Sequence, residues 1–159
     1  MSMKKVLITL VAAISAITLS AEANVGFWTD APKGNSSKSI KGVSFGLPIS
    51  KIKNSKGAQI SIFSSITTND AEGFQGAIGM TKADEFEKGC QLAAVNFANE
   101  VDKAAQVGAY NQSEKGGIQV GFVNNCKNNA KIQVGLVNIN KNGLFPVMIF
   151  VNFAKDLFK

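Results

Sequence analysis

The densest group of carboxylates in this chain is Asp84, Glu85 and Glu87, in the segment TKADEFEKG. A pair of carboxylates on either side of a sugar linkage can hydrolyse it, so activity on a polysaccharide is one hypothesis. Most other nucleophilic and acid–base sites use a histidine, and this chain of 159 residues has none. Because the three carboxylates lie between two repeated units, a solvated turn is the favoured interpretation. We therefore expect a protein that is not an enzyme.

Metal and cofactor sites are not expected either. Without histidine, metal ligation would depend on Cys90 and Cys126 or on oxygen ligands from Asp and Asn. Calcium-binding repeats place an aspartate in each turn, whereas the turns of this chain favour asparagine and lysine. The sequence also contains no phosphate-binding loop of the form G-x-x-x-x-G-K.

Amide side chains recur at regular intervals and are the most distinctive polar groups of the sequence. Six glutamines are spaced by 16, 16, 15, 13 and 14 residues, and an asparagine closes the strand in four of these units. They are Gln59, Gln75, Gln91, Gln106, Gln119 and Gln133, with Asn96, Asn111, Asn124 and Asn138. Such a row could bind an extended polymer such as a glycan, or its amides could bond to one another and fix the register of stacked strands. The structural role is favoured.

The residues around each glutamine alternate in the manner of a β-strand. In one unit Ile118, Val120 and Phe122 share one face of the strand, and Gln119 lies on the other. This period of two, bounded by Asn, Lys and Gly, predicts a strand in each unit. The aliphatic face is expected to be buried, so that Val120→Asp or Val134→Asp would destabilise the fold by several kcal/mol.

Two all-β architectures fit this pattern. In a short parallel β-solenoid of about six to seven coils with atypical capping strands, equivalent residues stack directly, which explains the repeated amide positions. In an eight-stranded antiparallel β-meander or barrel, equivalent residues would no longer be neighbours. The solenoid is favoured. It also separates Cys90 and Cys126 by more than two units, beyond the reach of a disulfide at ~4.8 Å per strand, so we expect two free thiols.

The N-terminus has the pattern of a secretory signal peptide. Two lysines precede the apolar run VLITLVAAISAITLS, and the following AEA has the A-x-A form of a cleavage site. The predicted organisation is a signal peptide over 1–23, an irregular segment over 24–41 and a β-repeat domain over 42–159. The signal implies export to the periplasm, outer membrane or cell surface.

The chain is basic, but its charge is not arranged for nucleic acid. The formal net charge is +6, and all 17 basic residues are lysines. These lysines are scattered between the units, without interleaved aromatic residues on which bases could stack. No nucleic-acid partner is expected, and the lysines instead keep turns soluble and strand edges unpaired.

The phrase G-x-Q-x-G-x-x-N, present as GIQVGFVN, resembles the repeats of a poorly characterised bacterial family of "surface repeat-containing" proteins. The strand GVSFGLPIS and the closing segment NGLFPVMIFVNF are similar to that family too, so the resemblance covers about residues 42–153. It implies export and a setting at the cell envelope or surface, but it transfers no site residue.

We therefore predict an exported, non-enzymatic repeat protein that presents a rigid β surface for interaction at the bacterial cell envelope or surface. The alternative is a small outer-membrane β-barrel with a structural or channel-like role. Another envelope protein or a glycan is the expected kind of partner, and membrane embedding belongs only to the barrel alternative.

Overall fold

A computed structural model describes residues 22–157 and shows an all-β protein, a parallel β-solenoid of about seven turns. The predicted solenoid is therefore confirmed. In chain order its strands are β1 (Glu22–Phe27), β2 (Ser39–Leu47), β3 (Ile49–Ile52), β4 (Asn54–Ser61), β5 (Ser64–Thr67), β6 (Asp70–Ala77), β7 (Met80–Leu92), β8 (Val95–Val107), β9 (Tyr110–Val120), β10 (Val123–Cys126), β11 (Ile132–Asn140) and β12 (Val147–Phe153). A short 3-10 helix, Asn35–Ser37, lies between β1 and β2.

Each coil contributes one segment to a Gln-bearing side and one segment to an Asn-bearing side. The parallel pairing places Gln75 between Gln59 and Gln91, with equivalent residues as direct neighbours. Strands β7, β8 and β9 are long because each starts on the Asn-bearing side, passes a corner and ends on the Gln-bearing side of the next coil. The antiparallel arrangement that the sequence left open is therefore wrong for the repeat array.

The corner that precedes the Gln-bearing side depends on glycine. Gly57, Gly73 and Gly89 lie in register and have φ values of 127°, 110° and 119°, which residues with a Cβ rarely adopt. A Cβ at Gly73 would also overlap the carbonyl oxygen of Gly57. Glycine at this position therefore allows successive coils to stack in close contact.

The apolar core is small, and most of the interior is polar. Among the described residues, buried polar side chains outnumber buried apolar ones by 22 to 12. Phe86 and Val101 are 1% and 2% exposed and stack in register in neighbouring coils. The apolar cluster around them consists of Ala71, Ala83, Phe86, Ala98, Val101 and Ala104. Hydrophobic burial alone therefore does not account for the interior of this fold.

The C-terminal end of the stack departs from the repeat. Strand β12 runs antiparallel to β11 and pairs Asn152 with Gln133. Because it reverses direction, β12 closes the array instead of adding another coil. This agrees with the expectation of an atypical capping strand.

The N-terminal segment is more regular than the sequence predicted. Residues 24–41 were expected to be irregular, but β1 covers their first part and pairs in parallel with β2. The reason is that this stretch already follows the alternation of the array, with Asn24 buried and Val25 and Phe27 exposed. The predicted signal peptide, 1–23, lies outside the described residues except for its last two positions, which belong to β1.

Candidate functional site

The six glutamines of the repeat form a buried ladder along the stack. Their side chains are at most 1% exposed. Each Nε2 from the second glutamine onward donates a hydrogen bond to the Oε1 of the glutamine in the preceding coil, over 2.7–3.0 Å. Gln106, for example, donates to Gln91 over 2.9 Å and accepts a bond from Gln119 over 2.8 Å. The sequence-predicted ladder is thus present as a continuous chain of amide bonds.

The asparagines form a second ladder on the other side of the interior, and its bonds run in the opposite direction. The Nδ2 of Asn96 donates to the Oδ1 of Asn111 in the following coil, and Asn111 and Asn124 repeat this toward Asn138, each over 2.8 Å. All four side chains are 0% exposed. In the coil before them Thr81 occupies the same position, and its hydroxyl donates to Asn96 over 2.6 Å.

In the eight amides that donate along the two ladders, the second hydrogen finds an acceptor across the interior. Gln75 Nε2 donates to the carbonyl oxygen of Lys82 over 3.0 Å, and Asn111 Nδ2 donates to that of Val120 over 2.8 Å. A buried polar group without a partner costs about 1–3 kcal/mol, so a polar interior is stable only when such groups are paired. Among these ten amides, the one oxygen without a partner is Oε1 of Gln133, at the end of its ladder.

The burial of the ladders decides between the two roles that the sequence left open. Amides that are enclosed by the coils and bonded to one another cannot contact a polymer outside the solenoid. The ladder residues are therefore structural, and a glycan-binding row of glutamines is the wrong interpretation.

The glycine that follows each later glutamine by two positions is the steric counterpart of the asparagine in the preceding coil. A Cβ on Gly121 would lie 2.6 Å from Asn111 Nδ2 and would overlap a backbone oxygen. The same contacts surround Gly108 and Gly135. Where the ladder residue is the smaller Thr81, the equivalent position holds an alanine. The repeated phrase Q-x-G is therefore a packing rule of this stack.

The aliphatic side of each Gln-bearing segment is exposed, contrary to the expectation from the alternation. Val120 and Val134 are 39% and 40% exposed, and Phe122 is 64% exposed. The alternation correctly indicated which residues share a face, but the assignment of that face to the core was wrong. The physical reason is that the two amide ladders already fill the interior behind it.

Three columns of outward side chains form this surface, which we call the apolar face. The columns precede the ladder residue by one position, follow it by one, and follow it by three. In that order they are Ala23, Val43, Ala58, Phe74, Cys90, Ala105, Ile118, Ile132 and Phe153; Val25, Phe45, Ile60, Gly76, Leu92, Val107, Val120, Val134 and Val151; and Phe27, Leu47, Ile62, Ile78, Ala94, Ala109, Phe122 and Leu136. With ~4.8 Å between strands and ~3.3 Å per residue, the face measures about 40 by 17 Å, roughly 700 Å².

The composition of the apolar face is uniform. None of its members carries a charge, and apart from the Cys90 thiol none has a side-chain hydrogen-bonding group. Its C-terminal half forms an open groove of about 560 Å³, lined from Val107 to Val151 by apolar residues and glycine. The face therefore offers neither hydrogen bonds nor charge to a ligand, only apolar contact.

Charged residues border this face on one side. Lys56, Glu72, Lys88 and Lys103 lie in register along the corner. Lys56 Nζ lies 3.2 Å from a carboxylate oxygen of Glu72, and this hydrogen bond raises the pKa of Lys56. A desolvated apolar centre with a polar, hydrated border is the usual anatomy of a protein interface.

The carboxylates considered as a catalytic group are exposed, as expected, although they lie in a strand and not in a turn. Asp84, Glu85 and Glu87 occupy β7 where it passes the corner. Glu85 lies in register with Asp70 and Glu100. Asp84, Glu85 and Glu87 therefore lie along one exposed strand, and Glu85 continues into an exposed column with Asp70 and Glu100.

The two cysteines are free thiols, as the distance between their units predicted. Cys126 is fully buried in the stack. Cys90 lies in the first column of the apolar face and is only partly covered, and this partial burial raises the pKa of its thiol. Cys90 is thus a chemical probe on the surface of interest, and Cys126 is one in the interior.

Within residues 22–157, no group of three His, Cys, Asp or Glu side chains is placed to hold a metal ion. In the same part of the chain, no helix has the length and apolar character needed to cross a membrane. Comparisons of the chain with known protein families, curated proteins and solved structures find no match. The function is therefore inferred from the geometry of the protein itself.

The apolar face is the feature that sequence reasoning missed. A signal for it was present, because every unit repeats a Gln at the same place on the strand face that also carries the small residue. Rows of identical amides satisfy one another best in a dry interior. Glutamines inside the coil imply aliphatic columns outside it, because successive residues of a strand point to opposite faces.

Proposed function

We propose that this protein is an exported, non-enzymatic repeat protein that presents the apolar face for interaction at the bacterial cell envelope or surface. The observation that carries the proposal is the size of this face. At roughly 700 Å², it exceeds the ~300–600 Å² of the largest exposed apolar patch on a typical monomeric protein. Because exposed apolar surface is unfavourable in water, a patch of this size marks a docking surface.

The scaffold behind the face suits this role. The side chains of the face project from strands that the two amide ladders hold in register from behind. Apart from β1 and β12 at the two ends, each of these strands is also paired with the coils on both sides. The outward columns are therefore presented in one fixed arrangement, which lowers the ordering cost when a partner binds.

The setting and the absence of catalysis are supported by the sequence. A lysine-flanked apolar run followed by AEA supports export, and the resemblance to surface repeat-containing proteins supports a place at the envelope. The chain has no histidine, and its densest carboxylates lie side by side on one exposed strand. These features favour a binding surface over an enzyme.

The proposal is tested in cells that express the full chain. We expect the mature protein, without about residues 1–23, in the envelope or medium, and in an assembly larger than one chain on a native gel. Val134→Lys should release a single chain, because it places a charge at the interface. Val137→Lys is the matched control, since Val137 is 37% exposed, close to the 40% of Val134, but lies on the Asn-bearing side.

Two outcomes contradict the proposal. An uncleaved chain that stays in the cytoplasm would remove the exported role. An assembly whose size responds equally to both substitutions, or a single chain in every case, would show that the apolar face has no binding role.

A further inference from the structure

The apolar face is regular and free of charge, and these properties restrict what can cover it. We propose that the partner is a second copy of this chain, so that two solenoids pack face to face as a symmetric dimer. This inference rests on the proposed function, because it names the partner of the same surface.

The area of the face is what a stable dimer needs. Roughly 700 Å² from each copy gives about 1,400 Å² in total, within the ~1,200–2,000 Å² of stable protein interfaces. Two twisted sheets also pack well at ~10 Å when the side chains of their facing surfaces interdigitate. A second copy has the same spacing of strands, so its ridges match the grooves of the first.

The chemistry of the face favours an equally apolar partner. A glycan would leave its hydroxyl groups without acceptors against residues such as Leu92, Val107 and Val120. A second copy brings the same apolar columns, and no polar group is desolvated in the centre of the contact. Because the surface meets itself, a two-fold axis in the plane of the contact closes the assembly at two chains.

Two of the four border residues, Lys56 and Glu72, neutralise each other, so the border attracts an anionic lipid surface less than its three lysines suggest. The lysine at position 56 is bonded to Glu72, and the carboxylates of Glu87 and Asp70 also act on it. Attraction to anionic lipid needs lysines that are not neutralised in this way. In a face-to-face dimer, by contrast, the border remains hydrated at the edge of the contact.

Cys90 gives this dimer an internal reporter. Cys90 is on the fifth of the nine strands that carry the apolar face, so it lies halfway along the stack. A second copy centred on the face covers this thiol, whereas Cys126 is buried with or without a partner. Alkylation of Cys90 therefore reports the free face, and alkylation of Cys126 reports unfolding.

The experiment uses the protein purified from cells that express the full chain. Sedimentation should show a monomer–dimer equilibrium, and iodoacetamide should modify Cys90 more slowly as the protein concentration rises. At a total concentration about ten times the dissociation constant, about one fifth of the chains are monomeric, so the rate should fall about fivefold. Val134→Lys should be monomeric with a concentration-independent rate, and Val137→Lys should behave as the wild type.

A purified protein that stays monomeric while its exported form is in a larger assembly would overturn the second copy and leave the proposed function standing. Binding of the monomer to anionic vesicles through the same face, lost in Val134→Lys, would do the same and identify lipid as the partner. A dimer that persists in Val134→Lys, or a Cys90 rate independent of concentration in the wild type, would also overturn it. If Cys126 of the Val134→Lys protein reacts without denaturant, that variant is unfolded. Leu92→Lys, another substitution on the apolar face, then takes its place in the experiment.

Discussion

Removing one amide from the middle of the glutamine ladder tests whether the polar interior stabilises the fold. In Gln106→Leu, Gln91 Oε1 loses its donor at 2.9 Å and Gln119 Nε2 loses its acceptor at 2.8 Å. Each buried group left unpaired costs about 1–3 kcal/mol, so the two cost about 2–6 kcal/mol. The buried leucine offsets part of this through its own hydrophobic gain.

Gln133→Leu is the control that removes the unknown offset. Gln133 Nε2 also donates to the preceding glutamine, over 2.7 Å, but its Oε1 has no partner among the described residues. This substitution therefore creates one unpaired group in the ladder and eliminates another. Both variants gain the same leucine and lose one bond to a backbone carbonyl. The difference between them should be about 2–6 kcal/mol, with Gln106→Leu the less stable.

Urea unfolding followed by far-ultraviolet circular dichroism measures both variants against the wild type. The slope against urea should stay constant, so that the midpoints convert directly into differences in the free energy of unfolding. If the two variants lay within about 0.5 kcal/mol of each other, which is near the limit of such comparisons, the ladder would not be a continuous stabilising element. A Gln106→Leu protein more stable than the wild type would refute the reasoning outright.

Three further substitutions test the remaining assignments. Val120→Lys should lower the free energy of unfolding by only about 1 kcal/mol or less, because the side chain is exposed. A loss of several kcal/mol in urea unfolding would show instead that this face is buried. Gly121→Ala should cost about 1–3 kcal/mol in the same assay, because the new methyl group meets Asn111 and a backbone oxygen; wild-type stability would disprove the packing rule. The hydroxyl and the backbone N–H of Ser36 donate hydrogen bonds to the Asp30 carboxylate and lower its pKa to about 2. The stabilisation from these two bonds is therefore present above the unfolded pKa of about 3.9 and is lost as the pH falls toward 2. An NMR titration should find that pKa, and Ser36→Ala should raise it; an unchanged value would mean that the bonds do not form in solution.

The repeat allowed the architecture to be predicted, and the reason lies in the register. Glutamines at nearly constant spacing, such as Gln91 and Gln106, have a physical reason to recur only if they touch in neighbouring coils. That condition selected parallel stacking over an antiparallel meander, and the structure confirms it. The same reasoning indicated that Cys90 and Cys126 are too far apart to form a disulfide.

The inside and outside of the coil could not be predicted in the same way. A period of two separates Val120 from Gln119 but carries no information about which of them faces solvent. The usual preference for apolar residues inside predicts a buried aliphatic face, and this prediction is wrong because each buried amide is paired with the amides of the neighbouring coils. The core around Phe86 was also missed, because it depends on a corner where β7 continues between the two sides of the coil.

The opposite directions of the two ladders have an electrostatic consequence for the length of the array. In the five bonds of the glutamine ladder the donor points toward the N-terminal coil, and in the three bonds of the asparagine ladder it points toward the C-terminal coil. The amide dipoles therefore add along each row but oppose each other between rows. A further coil that carries both a glutamine and an asparagine adds two amide dipoles that nearly cancel. The electric field at the ends of the stack therefore does not grow with the number of coils. Repeat number is thus free to vary without an electrostatic limit from its interior.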